Sequence, residues 1–166
     1  MQTSLQGIAN KAKADGRHRF QNLFGRLDKE MLLDSWKHLN KNAAWGVDKV
    51  SAQEYEQDLE GNIERLVERL KSRRYRAKLV RRQYIPKIGG KLRPLGIPAI
   101  EDKLLQCGAS RLLQAIYEQD FLSCSYGYRQ GIGALDAVTT LTRELLFGRY
   151  GYVVEADIKG FFDHPC

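Results

Sequence analysis

Toward the end of the 166-residue chain, the apolar run Tyr152-Val-Val-Glu-Ala156 delivers a single carboxylate, Asp157, and Lys-Gly-Phe-Phe follows after Ile158. The run reads as a strand buried in a sheet. A carboxylate at the end of such a strand is costly unless something pairs with it. Mg²⁺ is a natural partner, since it prefers a few carboxylate oxygens and retains water. The backbone carbonyl of Ile158 can add another oxygen. Equally, Asp157 can cap a helix that begins near Lys159. Phosphoryl transfer with two metals needs ions ~3.5–4 Å apart, bridged by shared carboxylates, and one aspartate is too few. The expectation is therefore the front part of a larger nucleotidyl-transfer enzyme, cut after its first metal ligand and inactive alone.

A second constellation lies upstream. Lys87 and Arg93 flank Gly89-Gly90, and on a bent antiparallel ribbon both can project to one side. Such a tip can close on a triphosphate, with lysine as a point charge and arginine as a bidentate fork. A hairpin that contacts RNA generically would also be basic, and spacing alone does not separate the two. Phe162 can stack on a sugar beside a nucleotide, whereas Phe161 reads as core. Tyr126, Tyr128 and Arg129 combine stacking groups with a cation, a mixture suited to an unpaired strand or to a packed, glycine-hinged loop. The three histidines share no spacing and have no assigned role.

Helices and one hairpin must position these groups. The first sixteen residues lack clear periodicity and read as a mobile arm, or as a helix that orders on RNA. From Arg17 onward Phe20, Leu23, Leu27 and Met31 recur at helical spacing, continued by Leu32, Trp36 and Leu39, with Asp28 placed to cap a second helix. Residues 40–49 read as a loop pivoting on Gly46. Ser51-Ala-Gln-Glu54 is a capping-box pattern ahead of a core-facing stripe of Tyr55, Leu59, Ile63, Leu66 and Leu70. Residues 79–86 and 91–98 read as two strands joined through Gly89-Gly90. Their prolines, Pro86, Pro94 and Pro98, confine them to an edge. Ile100 to Ile116 reads as a long buried helix and 121–133 as a loop. Leu135, Val138, Leu141 and Leu145 mark a last helix before the acidic strand.

Composition sets the class. Hydrophobic residues make up 43% and charged residues 28%, as in a globular domain. No run approaches the ~20 apolar residues of a membrane span, and the N-terminus lacks a signal-peptide pattern. Cys107, Cys124 and Cys166 read as reduced thiols of a cytoplasmic protein. The net charge of +7 is uneven: ten basic residues and no acidic one lie between Lys71 and Arg93, leaving −3 for the remainder. A patch of that kind calls for a polyanion, most simply nucleic acid, through Arg73, Arg74, Arg81 and Arg82 among others.

Several segments together resemble one family: Tyr84-Ile-Pro-Lys87, Gly90-Lys-Leu-Arg-Pro-Leu-Gly-Ile-Pro98, Asp102-Lys-Leu-Leu-Gln106, Ser125-Tyr-Gly-Tyr-Arg129, Ala134-Leu-Asp-Ala137 and Val154-Glu-Ala-Asp-Ile-Lys-Gly-Phe-Phe-Asp163. In this order they are similar to the fingers and early palm of group II intron-encoded reverse transcriptases. The resemblance implies RNA-templated DNA synthesis, with intron RNA, an RNA template, a DNA primer and deoxynucleoside triphosphates as partners and Mg²⁺ as cofactor. It assigns Asp157 as the first catalytic metal ligand, Ile158 as the assisting carbonyl, Lys87 and Arg93 as the triphosphate grip, and Phe162 as the aromatic that disfavours ribonucleotides. It places Arg129 in the template-facing loop.

The expected fold is α/β (α+β): a helical N-terminal extension over 1–50 that contacts template RNA, fingers over 51–148, and the start of a palm over 149–166. Two alternatives accompany it. One is a non-catalytic, maturase-like RNA-binding remnant that works through 71–93. The other is a remnant that folds poorly.

Overall fold

A computed structural model describes residues 4–86 and 89–158. The chain divides into two compact units, Met1–Asp120 and Phe121–Cys166. The first holds helices α1 (Leu5–Ala14), α2 (Lys29–Lys37), α3 (Ala52–Glu56) and α4 (Leu59–Lys71), then the hairpin β1 (Arg81–Pro86) and β2 (Leu92–Ile97), and finally α5 (Ile100–Tyr117). The second holds α6 (Ala134–Phe147). The mixture of helices with an antiparallel pair agrees with the expected class. No helix among the described residues is long and apolar enough to cross a membrane.

The core of the first unit forms where α2 and α4 pack on each other and α5 packs on α2. Leu32 and Trp36 of α2, Tyr55 of α3, Ile63, Leu66 and Leu70 of α4, and Ile100 and Leu104 of α5 interlock there. The α4 stripe falls on the spacing read from the sequence, i, i+3 and i+7, which keeps one face of a 3.6-residue helix inward. The rings of Trp36 and Tyr55 lie 5.4 Å apart. Gly108 lets α5 approach α2, because a methyl group there would stand 3.1 Å from Leu32 Cδ2. Arg111 ties the same pair of helices, donating to Asp34 Oδ2 at 2.6 Å and to Ser35 Oγ at 3.0 Å.

Four local expectations change. Residues 5–14 are a helix packed on α5, with Ile8 and Ala12 buried, and not an arm. Residues 17–22 are not helical. Asn22 adopts a left-handed backbone, a short 3₁₀ turn spans Leu23–Arg26, and helix resumes only after Asp28, whose carboxylate accepts the Met31 amide at 2.9 Å. The capping box of Ser51 and Glu54 is present, but the helix behind it breaks at Asp58, where Asn62 Nδ2 claims the Tyr55 carbonyl at 2.9 Å. A local side-chain bond of this kind competes with the helical ladder. Finally, residues 151–158 form no strand and are exposed, Val154 to 91%. A strand needs a neighbour to receive its amides and carbonyls, and the sheet among the described residues contains β1 and β2 alone.

Candidate nucleic-acid interface

The hairpin is built as its sequence indicates. Arg81 faces Ile97, Ile85 faces Arg93 and Pro86 faces Leu92. Gly89 and Gly90 carry φ angles of 90° and 77°, a region that a residue with a Cβ enters only with strain. Side chains alternate across a ribbon. One face therefore carries Arg81, Gln83, Ile85, Arg93 and Leu95, and the other Arg82, Tyr84, Leu92 and Pro94. Arg82 and Arg93 consequently serve opposite faces.

The cations of 71–93 fall into two groups. Four of the described ones are engaged in the fold, among them Arg76, which donates to the Tyr75 carbonyl at 3.0 Å. Arg74 lies 3.6 Å from Glu68, Lys78 lies 2.9 Å from Asp48, and Arg81 sits over the Trp45 ring while donating to the Trp45 carbonyl at 3.0 Å. Lys71, Arg73, Arg82, Lys91 and Arg93 are exposed and make no side-chain hydrogen bond or ion pair among the described residues. An unpaired guanidinium or ammonium keeps its full set of donors for an incoming phosphate. Arg73 stands just past α4 with φ 57°, and the Arg74 amide reaches back to the Arg69 carbonyl at 2.9 Å. That is a helix C-terminal turn which glycine usually occupies.

The base of the hairpin is fastened by residues to which the sequence reading gave no role. Asp102, in the first turn of α5 and only 3% exposed, accepts from the Tyr75 hydroxyl and from the Lys78 amide, the latter at 3.1 Å. Burial, then the Asp102 carboxylate, pushes the Tyr75 hydroxyl well above its usual pKa. Lys103 donates to the Ala44 carbonyl at 2.5 Å; burial and then the neighbouring Arg81 charge lower its pKa. Gly46 is not a conformational pivot. A Cβ there would stand 2.5 Å from Ala99 Cα, so its service is space for the backbone at the hairpin's exit. The available signals were the aspartates themselves: Asp48 follows Trp-Gly-Val, and Asp102 stands in the first turn of α5.

The second unit holds three of the remaining site residues. Arg129 is engaged within its own loop, donating to the Ser125 carbonyl at 2.7 Å and the Leu122 carbonyl at 3.2 Å and lying over the Phe121 ring. Asp157 and Ile158 lie in the exposed, irregular segment. Lys87 and Phe162 lie outside the described residues. No group of three or more His, Cys, Asp or Glu able to hold a metal occurs among the described residues. One carboxylate and one carbonyl do not fit a pair of Mg²⁺ ions.

No protein-family model matches the chain. Curated proteins do. The group II intron-encoded protein LtrA of Lactococcus lactis subsp. cremoris is 42% identical over 106 residues, 63% of this chain and 17% of that protein. Protein YkfC of Escherichia coli K12 is 36% identical over 121 residues, 71% of this chain and 32% of YkfC. An uncharacterized 91 kDa protein in a cob intron of Schizosaccharomyces pombe is 35% identical over 101 residues, 61% of this chain and 12% of that protein. The chain thus spans about a third or less of these relatives. Over that stretch the chain is similar to group II intron-encoded proteins.

Proposed function

We propose that the chain forms the fingers and early palm of an RNA-directed DNA polymerase of group II intron type, and that its hairpin contacts the polyanionic substrates. Residues 1–50 would be the template-contacting extension, 51–148 the fingers and 149–166 the palm's beginning. Arg82, Lys91 and Arg93 carry the reading: they are exposed and unpaired on a ribbon whose base is fixed to the helical core. Lys87 and Arg93 grip a deoxynucleoside triphosphate, Phe162 packs against its sugar, and Arg73, Arg74, Arg81, Arg82 and Arg129 border the RNA template. Asp157 and the Ile158 carbonyl would each offer an oxygen to a Mg²⁺ ion, which would supply charge stabilisation once further carboxylates completed its site. Template-directed primer extension is not expected from these 166 residues alone, which hold too few carboxylates at that site.

Binding of single-stranded RNA, followed by anisotropy across a salt series, tests the interface. Log affinity should fall linearly with log salt, at about −0.7 per phosphate neutralised on a single strand. Neutralising Arg82 and Arg93 together should weaken binding and flatten that slope. An unchanged slope would overturn the interface. A second reading is non-catalytic RNA binding, favoured by the absence of a carboxylate cluster among the described residues. Hydrogen exchange separates the two. A deoxynucleoside triphosphate should protect amides 89–97, and Arg93→Gln should abolish that protection. Full RNA binding without such protection would select the second reading.

A further inference from the structure

The chain enters the hairpin through Tyr75–Val80, and one residue of that entry is held from two directions. The Lys78 amide donates to Asp102 Oδ2 on α5 at 3.1 Å, and the Lys78 ammonium reaches Asp48 Oδ2 in the 40–50 loop at 2.9 Å. Asp102 also accepts from the Tyr75 hydroxyl. Asp48 also accepts the Val50 amide at 3.3 Å. Three residues beyond Lys78, Arg81 is fastened to Trp45 of the same loop. A two-stranded ribbon is marginal by itself, and among the described residues most of this one is exposed. Its direction is therefore set where it leaves the core. Both aspartates are largely buried, with Asp48's side chain 14% exposed. They place negative charge at the root of a structure that otherwise presents cations, so simple attraction of a polyanion does not account for them.

We infer that Asp102 and Asp48 are positioning residues that hold the basic hairpin in register with the helical core, so that Arg82, Lys91 and Arg93 meet their polyanion preorganised. The inference rests on the hairpin being the polyanion-binding element. Preorganisation spares the bound state the cost of ordering the ribbon. Neither aspartate touches the ligand; both act through Lys78, and Asp102 acts through Tyr75 as well.

The sign of a charge effect makes the test sharp. Asp102→Asn and Asp48→Asn each remove a negative charge, and by electrostatics alone each would tighten binding to a polyanion. A positioning role requires the opposite. Single-stranded RNA binding at one fixed salt concentration is expected to weaken about three- to tenfold in Asp102→Asn, the size of losing one ordinary hydrogen bond, and less in Asp48→Asn. Hydrogen exchange should quicken at amides 79–86 and 89–97 and stay unchanged in α4 and α5. Tyr75→Phe leaves the carboxylate in place and should move both readouts the same way, by less. It carries the test should Asp102→Asn fail to fold. Unchanged or tighter binding with unchanged exchange would overturn the inference. Quickened exchange throughout α4 and α5 would also overturn it, as general support of the fold. If neutralising Arg82 and Arg93 leaves RNA affinity untouched, the interface itself fails, and the positioning role is then decided by exchange alone.

Discussion

Leu104 and Leu141 both lie on the apolar side of a helix, yet the first is fully buried in α5 and the second, in α6, stays 48% exposed. The same contrast holds between their units. The first unit closes a core around Leu32, Ile63, Leu66 and Leu104 and fastens its basic hairpin to that core. Among the second unit's described residues none is buried, although α6 carries an apolar stripe of its own. Amphipathic spacing establishes that a helix has a face to bury. Whether it is buried depends on an opposing surface, because the stabilisation comes from apolar area removed from water, about 25 cal/mol per Å².

Truncation tests this contrast most strongly. Leu104→Ala should destabilise the cooperative melt by about 2–5 kcal/mol. Leu141→Ala, which leaves no cavity, should change it by ~0.5 kcal/mol or less. Equal costs measured by denaturant titration would mean that α6 is buried in solution. Gly46→Ala comes next. Its methyl would drive into the Ala99 backbone, and overpacking of that kind costs about 1–3 kcal/mol. A fully stable Gly46→Ala would show that the hairpin's exit is looser than the structure has it.

Smaller effects refine the comparison within the first unit. Arg73→Gly relieves a left-handed arginine at the end of α4 and should raise stability by about 0.5–1 kcal/mol. The same change removes an exposed, unpaired cation, so RNA affinity should fall as the melting temperature rises. Loss of both, or gain of both, would contradict the division between fold and interface at that residue. The smallest effect concerns acid. The Arg111 guanidinium beside Asp34 holds that carboxyl below its usual pKa. A depressed carboxyl contributes stability above its unfolded value of about 3.9, and that contribution is lost as pH falls through the lower folded value. Asp34→Asn should therefore flatten the acid side of the melting profile, by no more than ~1 kcal/mol for a pair that is partly exposed. An unchanged acid limb would show that the pair contributes nothing.

Much of the architecture was legible because its signals are local. The Ser51–Glu54 box, the α4 stripe, the Gly89-Gly90 turn and the Asp28 cap each involve residues within a few positions of one another. So does the basic run, whose charge is a property of composition. The misreadings have the opposite character. Residues 17–22 have helical spacing but a left-handed Asn22, and 152–156 have strand composition without, among the described residues, a strand to pair with. Gly46 seemed a hinge because its neighbour in space, Ala99, is far away in sequence.

The candidate site divides along the same line. The sequence by itself determined which side chains could meet a phosphate, since lysine and arginine carry their charge wherever the chain places them. It also carried the resemblance to group II intron-encoded proteins, because ordered motifs survive as strings. Only the tertiary structure decided which cations remain unpaired and which are engaged, separating Arg82 and Arg93 from Lys78 and Arg81. It alone brought Asp102 and Asp48 to the hairpin's root. Those contacts join residues 24 and 30 positions apart, and a hydrogen bond over such a separation forms only after packing has closed the intervening loop.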